Sequence, residues 1–542
     1  MKVGKLIWLR RISQVFFLCL FIYLLFVTRL PQDIYLDYSL TFTDAPDVRL
    51  EQPVTFFWQI NPLAWITTVL ATHQWVTGFA WAIGLLALTL VLGRFFCGFI
   101  CPLGTLHHMA SSIKPALKGS ALAAANRQKP DRMIKYFFLT VICVAAFFGL
   151  NLSGLLDPLS LLFRSLALAV FPALGNALNG FFEILARSDI KIINLLGYSS
   201  EVLVAPLFGY ETIAFQTGWF IGILFLLILF LNRIRPRFWC RVLCPLGALL
   251  GICSKYSLLR LKKVDEKCTH CGICTRNCQG AASCEPGTPW QSPECLLCLN
   301  CQELCPEDAL TFKLNRPLPM RGPARFDSGR RVVLTGLMAG LSIPFLGKLD
   351  GITHRSPSPQ LIRPPGSLPE NDFLDRCQRC GLCMKVCPTN AIHPAFAEAG
   401  MAGFWTPNLI MTLGYCEYTC TLCGSVCPTG AIADITSEVK TKTPIRIGSA
   451  YIDRGRCIPW SGNGSCIMCE EVCPTSPKAI HLKDDFVINP EKEMVPVKLP
   501  YINLKQCVGC GICETKCPVR GKPAIRVISA GETRDPDNQI LL

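Results

Sequence analysis

Charged residues are scarce in this chain, making up 17% of its 542 residues against 51% hydrophobic ones. The usual glycine-rich nucleotide fingerprint is missing, and so is a nucleophile elbow. No segment looks like a kinase, a DNA-binding domain or a flavin-binding domain. These absences argue against a nucleotide-dependent enzyme and against a regulatory protein. We therefore expect any substrate chemistry to belong to a partner.

Cysteine, in contrast, is abundant, with 32 residues in the chain. Seven of them precede residue 260, and the other twenty-five fall between Cys268 and Cys517. Twenty-four of these later cysteines form six groups of four with stereotyped spacing. Disulfide scaffolds are usually short secreted chains with irregular spacing. The pattern therefore favours metal ligation over disulfide bonding.

The hydrophobic residues are concentrated in runs of membrane-spanning length, and the mean hydropathy is +0.37. A helix needs roughly 20 apolar residues to cross a bilayer core of about 30 Å. Four stretches come near this length and predict transmembrane helices, at about Ile12–Val27, Trp75–Leu92, Met133–Leu152 and Trp219–Leu231. No small-residue cleavage site follows the first stretch, so we expect it to be retained rather than removed as a signal peptide.

The distribution of basic residues predicts how these helices are oriented, because short cytoplasmic loops are rich in Lys and Arg. Basic residues precede the first stretch and follow the fourth, and residues 94–135 hold seven bases against one acid. Residues 31–75 and 151–215 hold five acids each and belong outside. The N-terminus is thus predicted to be cytoplasmic. The net charge of +15 reflects this bias and requires no nucleic-acid partner.

One motif occurs twice, after the second and the fourth predicted helices. The copies are Arg94-Phe-Phe-Cys97-x3-Cys101-Pro-Leu-Gly104 and Arg237-Phe-Trp-Cys240-x3-Cys244-Pro-Leu-Gly247. The repeat indicates a parallel duplication of two helical hairpins. Each proline is suited simply to ending a helix. Alternatively, the four thiols come together on the cytoplasmic rim and bind a metal or cluster, or cycle as dithiols. The sequence leaves these alternatives open.

A carboxylate and a guanidinium lie near the membrane between the third and fourth predicted helices. Asp157 precedes Pro158, and Arg164 falls within an otherwise apolar run. Such groups are costly in or near lipid, which makes both residues candidates for a functional site. Asp157 also suits the N-cap of a helix that begins at Pro158. Capping would not exclude a functional role.

The first two cysteine groups follow the spacing of bacterial two-cluster ferredoxins. They are Cys268, Cys271, Cys274 and Cys278, then Cys295, Cys298, Cys301 and Cys305. In this arrangement three close thiolates hold one [4Fe–4S] cluster, and the fourth reaches the neighbouring cluster. Cys305 is therefore expected to complete the first set and Cys278 the second. Zinc would normally use two Cys-x2-Cys pairs instead. Gln279 replaces the usual proline, and Cys284 has no assigned role.

The segment between the two cysteine-rich regions contains Arg330-Arg331 before a weakly apolar run that ends near Leu346. This resembles a twin-arginine export signal. No cleavage site follows, so we predict a retained fifth helix. Its fifteen or so residues would cover only about 22 Å at 1.5 Å per residue. The alternative is an amphipathic surface helix that leaves the rest of the chain cytoplasmic. We favour a crossing, which places the C-terminal module in the periplasm.

Four more cysteine groups follow the linker, and each ends in Cys-Pro and precedes an apolar pair such as Ala391-Ile392. Each group therefore predicts a loop, a short helix and a small strand, half of a ferredoxin unit. Their pairing stays open, since either the sequential order or first with fourth and second with third is compatible with the spacing. The groups are Cys377, Cys380, Cys383 and Cys387; Cys416, Cys420, Cys423 and Cys427; Cys457, Cys466, Cys469 and Cys473; and Cys507, Cys510, Cys513 and Cys517.

At these residues the chain resembles two known families. The first 310 residues resemble NapH, the membrane polyferredoxin associated with periplasmic nitrate reductase. The doubled Cys-x3-Cys-Pro motif, Asp157-Pro158 with Arg164, and the tandem ferredoxin run carry that resemblance. Residues 328–542 resemble NapG and MauM through the twin arginine, the Arg363-Pro-Pro-Gly linker and four clusters. The whole chain looks like a fusion of the two partners.

The resemblance implies a quinol dehydrogenase of the bacterial inner membrane. Quinol would be oxidised at the membrane domain, with Asp157 and Arg164 as the candidate site. Six [4Fe–4S] clusters would then carry electrons to a periplasmic cytochrome or reductase such as nitrate reductase. No haem ligand is evident in the helices to help the electron cross the membrane. The alternative is an iron–sulfur maturation factor that supplies electrons to a client enzyme.

The predicted fold is therefore an α-helical transmembrane domain followed by α+β ferredoxin-like [4Fe–4S] domains. The membrane domain, of about four helices with internal duplication, covers residues 1–260. A cytoplasmic two-cluster ferredoxin domain covers residues 261–315, and a linker with the fifth helix covers 316–370. A periplasmic four-cluster domain covers residues 371–542.

Overall fold

A computed structural model describes most of the chain. The described residues are 4–28, 49–50, 54–76, 78–113, 119–127, 133–190, 194, 197, 204, 208, 213–282, 284, 290–315, 328–349, 358–443 and 445–539. Two compact units are present. The first comprises Met1–Phe26, Thr55–Leu166 and Trp219–Phe345, and the second comprises Val27–Val54, Ala167–Gly218 and Leu346–Leu542. Each unit is thus assembled from three separate stretches of sequence.

Helices dominate the first unit, and several begin with a proline, which suits the first helical position. The helices of this part of the chain are Lys5–Val27, Phe56–Gln59, Pro62–Thr72, Ala80–Leu92, Phe95–Phe99, Pro102–Ser112, Gly119–Arg127, Ile134–Phe147, Ser153–Leu156, Pro158–Ser165, Gly218–Phe230, Pro245–Ser254, Ile273–Arg276, Asn300–Glu303 and Ser328–Leu349. Short 3-10 helices lie at Leu231–Arg233, Asp265–Lys267 and Ser292–Glu294, and π-helical turns lie at Leu166–Val170 and Trp239–Leu243.

All four stretches predicted as transmembrane form helices, but most are too short to cross a bilayer alone. Among the described residues, two helices are long and apolar enough, Lys5–Val27 and Pro158–Ala186. The helices Ala80–Leu92, Ile134–Phe147 and Gly218–Phe230 have only 13, 14 and 13 residues. The predicted four-helix transmembrane domain is therefore not confirmed by helix length.

The long helix Pro158–Ala186 was missed as a candidate span, because its sequence was interpreted as an outside loop. Its start at Pro158 was recognised, but Arg164, Asn176 and Asn179 interrupt the apolar run and lower its hydropathy. The structure continues the helix through a π-helical turn at Leu166–Val170.

The predicted fifth helix is present as Ser328–Leu349. Within the first unit it lies close against the helix Ile134–Phe147. A Cβ atom built on Gly336 would lie 3.1 Å from Thr140 Cβ, and one on Gly340 would lie 2.7 Å from Val144 Cβ. The two glycines are four residues apart, a spacing that lets membrane helices approach closely.

A two-stranded antiparallel sheet holds the first cysteine-rich module together. The strands Leu259–Lys263 and Leu310–Leu314 pair with Leu261 opposite Phe312. The core beside this sheet contains three cysteines along with Leu261 and Leu310: Cys278, Cys284 and Cys301. Cysteine side chains therefore make up much of the buried core of this module.

Among its described residues, the second unit contains short helices and three antiparallel strand pairs. Its helices are Phe171–Ala186, Glu370–Arg376, Leu382–Val386, Leu422–Ser425, Ser437–Lys442, Met468–Glu471 and Ile512–Thr515. The strand pairs are Ile392–Pro394 with Pro407–Leu409, Ser449–Ile452 with Ile525–Ile528, and Ile480–Ile488 with Met494–Ile502. A strand follows three of the four Cys-Pro sequences, as predicted. After the second, Ile432 makes only an isolated bridge with Ser367.

The end of the predicted linker is part of the folded second unit. Arg363 is 1% exposed, and its guanidinium donates to Thr406 Oγ1 at 2.8 Å and to the carbonyl of Pro407 at 2.7 Å. It also forms an ion pair with Glu370, which in turn pairs with Arg534 at 2.7 Å. The C-terminal module therefore begins before residue 371, because Arg363 anchors the linker in its core.

Candidate iron–sulfur centres

Each of the six cysteine groups places its third cysteine in a helix of a single turn or little more. In the first module the helices are Ile273–Arg276 and Asn300–Glu303. In the second they are Leu382–Val386, Leu422–Ser425, Met468–Glu471 and Ile512–Thr515. A glycine with positive φ precedes three of these helices, including Gly272 at 68° and Gly511 at 82°. Such a glycine lets the chain turn sharply between the second and third cysteines.

The first module contains a cavity of about 200 Å³ whose walls bear four thiols. They are Cys268, Cys271, Cys274 and Cys305. Three come from the first cysteine group and one from the second. This is the crossed arrangement that the ferredoxin spacing predicted.

The second site of this module gathers the complementary cysteines. Cys295 and Cys301 both interact electrostatically with Cys298 and Cys278. A fifth thiol is also present, since Cys284 Sγ lies 3.9 Å from Cys278 Sγ. Both are buried, and Cys284 also hydrogen-bonds to Cys301. Sequence reasoning left Cys284 unassigned, and its off-register spacing was the only signal available.

In the second unit, the last two cysteine groups are paired. A smaller cavity is lined by Cys457, Cys466, Cys469 and Cys517. Conversely, Cys473 interacts electrostatically with Cys507 and Cys510. Each group therefore supplies three thiols to one site and its last thiol to the other.

The first two groups of this unit are paired in the same way. Cys427 interacts with the first three cysteines of the preceding group, Cys377, Cys380 and Cys383. Cys387 interacts with Cys416, Cys420 and Cys423. The four groups are thus arranged sequentially, first with second and third with fourth, which sequence spacing alone left open.

The two pairs adjoin each other directly. The backbone N–H of Cys416 donates to the carbonyl of Cys510 at 2.8 Å. Beside this contact lies Lys440, which is buried and donates to the carbonyls of Glu417 at 2.6 Å and Cys420 at 2.8 Å. Sequence reasoning missed Lys440, because a lysine in a short charged helix gives no signal of burial.

The thiol sites have features expected of iron–sulfur cluster ligands. Among the described residues, no three His, Cys, Asp or Glu side chains are close enough to hold one ion. Backbone N–H groups donate to ligand sulfurs, as from His270 to Cys268 Sγ at 3.4 Å and from Ile432 to Cys427 Sγ at 3.4 Å. Burial raises the pKa of Cys420, Cys469 and Cys510 to about 12. These thiols are therefore protonated at neutral pH and would release their protons on binding a cationic metal core.

The doubled Cys-x3-Cys-Pro motifs lie in the first unit, where their four thiols interact electrostatically with one another. Cys101 and Cys244 are the N-caps of the helices Pro102–Ser112 and Pro245–Ser254. Each proline therefore begins a helix, so the expectation that it serves to end one was wrong.

Asp157 and Arg164 are both buried in the first unit. Asp157 is the N-cap of the helix Pro158–Ser165, and its Oδ2 accepts the N–H of Ser160 at 2.9 Å. Its Oδ1 accepts Asn61 Nδ2 at 2.7 Å. Arg164 donates to the carbonyl of Gly154 at 3.2 Å. The predicted cap is confirmed, and Asn61 is a partner that sequence reasoning missed.

Comparisons with known proteins agree with this chemistry. Two family models, both described as a 4Fe-4S binding domain, match the chain, one at residues 74–119, 217–264 and 423–446 and the other at 373–393. The methylamine utilization ferredoxin-type protein MauM of Methylorubrum extorquens is 36% identical over 171 residues, 31% of this chain and 72% of that protein. The ferredoxin-type protein NapG of Escherichia coli is 32% identical over 168 residues, 31% of this chain and 70% of that protein.

A third relative extends the similarity to a longer protein. The putative electron transport protein YccM of Escherichia coli is 25% identical over 237 residues, 43% of this chain and 55% of that protein. No solved structure matches the chain significantly. The cysteine sites and these relatives define an iron–sulfur electron-transfer protein of the ferredoxin type. More particularly, the chain belongs to the family of ferredoxin-type proteins that includes MauM and NapG.

Proposed function

We propose that this chain oxidises quinol at its membrane domain and passes the electrons to a periplasmic redox partner. The observation that carries the proposal is the crossed arrangement of cysteines, because three thiols of one group and one of the next surround each site. When bound there, [4Fe–4S] clusters would each take up and release one electron. The six groups would hold six clusters, with the cysteines of each crossed set as ligands.

Contacts within the first unit support a cytoplasmic location for the first cysteine pair. Arg10, in the helix that follows the basic N-terminus, donates to the carbonyl of Cys298 at 2.7 Å. Arg94, in the basic segment predicted to be cytoplasmic, donates to the carbonyl of Pro293 at 2.9 Å. Both donors belong to segments that the positive-inside rule assigns to the cytoplasm.

Contacts within the second unit support a periplasmic location for the four C-terminal groups. Arg49, from the acidic segment predicted to lie outside, forms an ion pair with Asp434 at 2.9 Å. Asn390 donates to the carbonyl of Ala214, in the other segment predicted to lie outside, at 3.1 Å. The close packing of Ser328–Leu349 against Ile134–Phe147 favours the fifth helix as a crossing element.

The quinol site is proposed at Asp157, with Arg164 nearby in sequence on the same helix. Quinol oxidation releases protons, so a buried carboxylate held by Asn61 and the Ser160 N–H is a suitable acceptor. The acceptor of the electrons is expected to be a periplasmic cytochrome or reductase, and nitrate reductase is the example that the likeness to NapG suggests.

The test is anaerobic EPR of the purified protein before and after a menaquinol analogue is added. Cluster signals should appear within seconds in the wild type. Asp157→Asn should slow their appearance about a hundred-fold, while the helix is kept, because Asn caps helices as well as Asp does. The matched control is Asp189→Asn, which changes an exposed acid.

Reduction by dithionite without any response to quinol would overturn direct quinol oxidation. The maturation role, in which the chain supplies electrons to a client enzyme, would then be favoured. If the cluster signals appear at equal rates in the wild type and in Asp157→Asn, the quinol site lies elsewhere.

A further inference from the structure

The two Cys-x3-Cys-Pro motifs leave four thiols that the six proposed clusters do not use. Cys240 interacts electrostatically with Cys97, and Cys101 interacts with both. Cys244 interacts with the other three. Cys97 is only partly buried, and the others are buried. The duplication therefore brings two half-sites of two thiols each into one site of four.

Backbone donors already face two of these sulfurs. The N–H of Gly104 donates to Cys101 Sγ at 3.4 Å, and that of Gly247 donates to Cys244 Sγ at 3.2 Å. A Cβ atom on Gly247 would lie 2.7 Å from Arg94 Nη2, so the guanidinium of Arg94 lies close against this glycine. N–H groups that point at sulfur stabilise a thiolate over a thiol.

Two arginines, one from each motif, are buried beside the four thiols. Arg94 and Arg237 are 2% and 1% exposed. Arg237 Nη1 donates to the carbonyl of Cys97 at 3.2 Å, so it reaches the other motif, and Arg94 Nη2 lies 3.8 Å from Cys97 Sγ. Arg94 Nε, Arg237 Nε and Arg237 Nη2 have no hydrogen-bond partner among the described residues.

Buried guanidinium groups whose N–H groups are only partly satisfied are costly, which indicates that an anion belongs beside them. The nearby carboxylate of Glu294 does not meet this need, because Lys135 already pairs with it at 2.6 Å. An iron–sulfur core with a 2+ charge, held by four thiolates, has a net charge of 2−. That charge balances the two arginines.

We infer that Cys97, Cys101, Cys240 and Cys244 together hold a seventh iron–sulfur cluster, between the two repeats of the membrane domain. Each family-model match over these segments, 74–119 and 217–264, contains one motif with only two cysteines. The duplicated motif supplies the complete set of four.

The site lies against the loop of the second ferredoxin group. A Cβ atom on Gly98 would lie 2.2 Å from the carbonyl oxygen of Leu296, and Gln14 Nε2 donates to the carbonyl of Gly98 at 2.7 Å. A seventh cluster would therefore extend the row of clusters from the cytoplasmic pair into the membrane domain. This relay role, though not the binding itself, rests on the proposed function.

The test counts iron and sulfide per chain in the anaerobically purified protein. The wild type should contain about four irons more, or about two for a [2Fe–2S] cluster, than the six groups hold. The double variant Cys97→Ser/Cys240→Ser should lose this excess and one EPR signal, while the other signals remain. The control, Cys143→Ser/Cys253→Ser, changes two other cysteines of the same unit and should keep the full content.

An iron content that the six groups alone explain, or an excess that survives the double substitution, would overturn the inference. If the double variant fails to fold, all of its EPR signals disappear together. The iron and sulfide content of the wild type then tests the inference. A protein that holds the additional iron but does not respond to quinol would refute the quinol proposal and leave the seventh cluster standing.

Discussion

The ammonium nitrogen of Lys440 lies 3.4 Å from the sulfur of Cys416. The same nitrogen donates to two carbonyls of the cysteine loop, and the side chain is buried. A fixed positive charge stabilises the reduced, more negative state of a cluster at this site. Lys440→Met should therefore lower the midpoint potential of that cluster by roughly 50–100 mV, or about 1–2 kcal/mol for one electron.

The measurement is an EPR-monitored redox titration of the cluster signals. Lys442→Met is the control, because Lys442 ends the same helix but is exposed and pairs with Glu438. One signal should shift downward in Lys440→Met and none in the control. An unchanged set of potentials would show that Lys440 serves the loop structure alone.

Cys284 is expected to replace Cys278 as a cluster ligand when Cys278 is removed. The two sulfurs are 3.9 Å apart and both are buried, so a small loop movement exchanges them. Iron analysis should show nearly full content in Cys278→Ser and in Cys284→Ser. The double variant should lose about four irons per chain. Loss of the cluster in Cys278→Ser alone would contradict the exchange.

The buried pair of Lys135 and Glu294 should be sensitive to the loss of either partner. The charged atoms are 2.6 Å apart, with side chains 0% and 8% exposed. Lys135→Met leaves a buried carboxylate and should cost about 3–5 kcal/mol of unfolding free energy. Lys135→Met/Glu294→Met should recover most of that loss, because no charge remains buried.

Chemical denaturation of the detergent-solubilised protein measures these differences. Arg187→Met serves as the control, since Arg187 and Glu183 form an exposed ion pair. The loss of this pair should change the free energy of unfolding very little. A double variant as unstable as Lys135→Met would show that packing, rather than charge, is lost.

The carboxylate of Glu370 should make the C-terminal module stable in a pH-dependent way. Burial alone would raise its pKa, but Arg363 and Arg534 outweigh burial and lower the pKa of Glu370 to about 2. An unfolded glutamate has a pKa of about 4.3. The stabilisation is therefore complete above about pH 4.3 and is lost as the pH falls toward 2.

Glu370→Gln should cost about 2–3 kcal/mol at pH 7, the size expected for a shift of about two pKa units. The difference from wild type should shrink below about pH 4. Unfolding followed by circular dichroism at pH 7, 5 and 3.5 tests this expectation. A difference that stays constant with pH would assign the loss to the missing hydrogen bonds rather than to the charge.

Sequence reasoning found the cysteine sites because covalent ligation imposes fixed local spacing. A short helix in each of the four later groups and the crossed position of Cys305 followed from that local pattern. The pairing of the four later groups did not follow from the spacing. Cys427 and Cys517 are brought to their sites by tertiary contacts between distant segments. Sequence spacing carries no trace of those contacts.

The long apolar helices were less predictable, since a hydropathy average is highest for unbroken apolar runs. The helix Pro158–Ala186 contains Arg164 within its buried face, and the average is lowered there. Nothing in the sequence indicated that Arg94 and Arg237 are buried. Both had been counted as cytoplasmic charges, although their guanidinium groups lie beside the doubled cysteine motif.

The crossed cysteines also constrain how the protein matures during synthesis. Under the proposed ligation, the site of Cys457, Cys466 and Cys469 stays incomplete until Cys517 has left the ribosome. The site of Cys507 must likewise fold back onto Cys473. A chain that terminates before Cys507 would therefore lose two clusters rather than one. Cofactor insertion into this last pair is accordingly a late step that follows translation of almost the entire polypeptide.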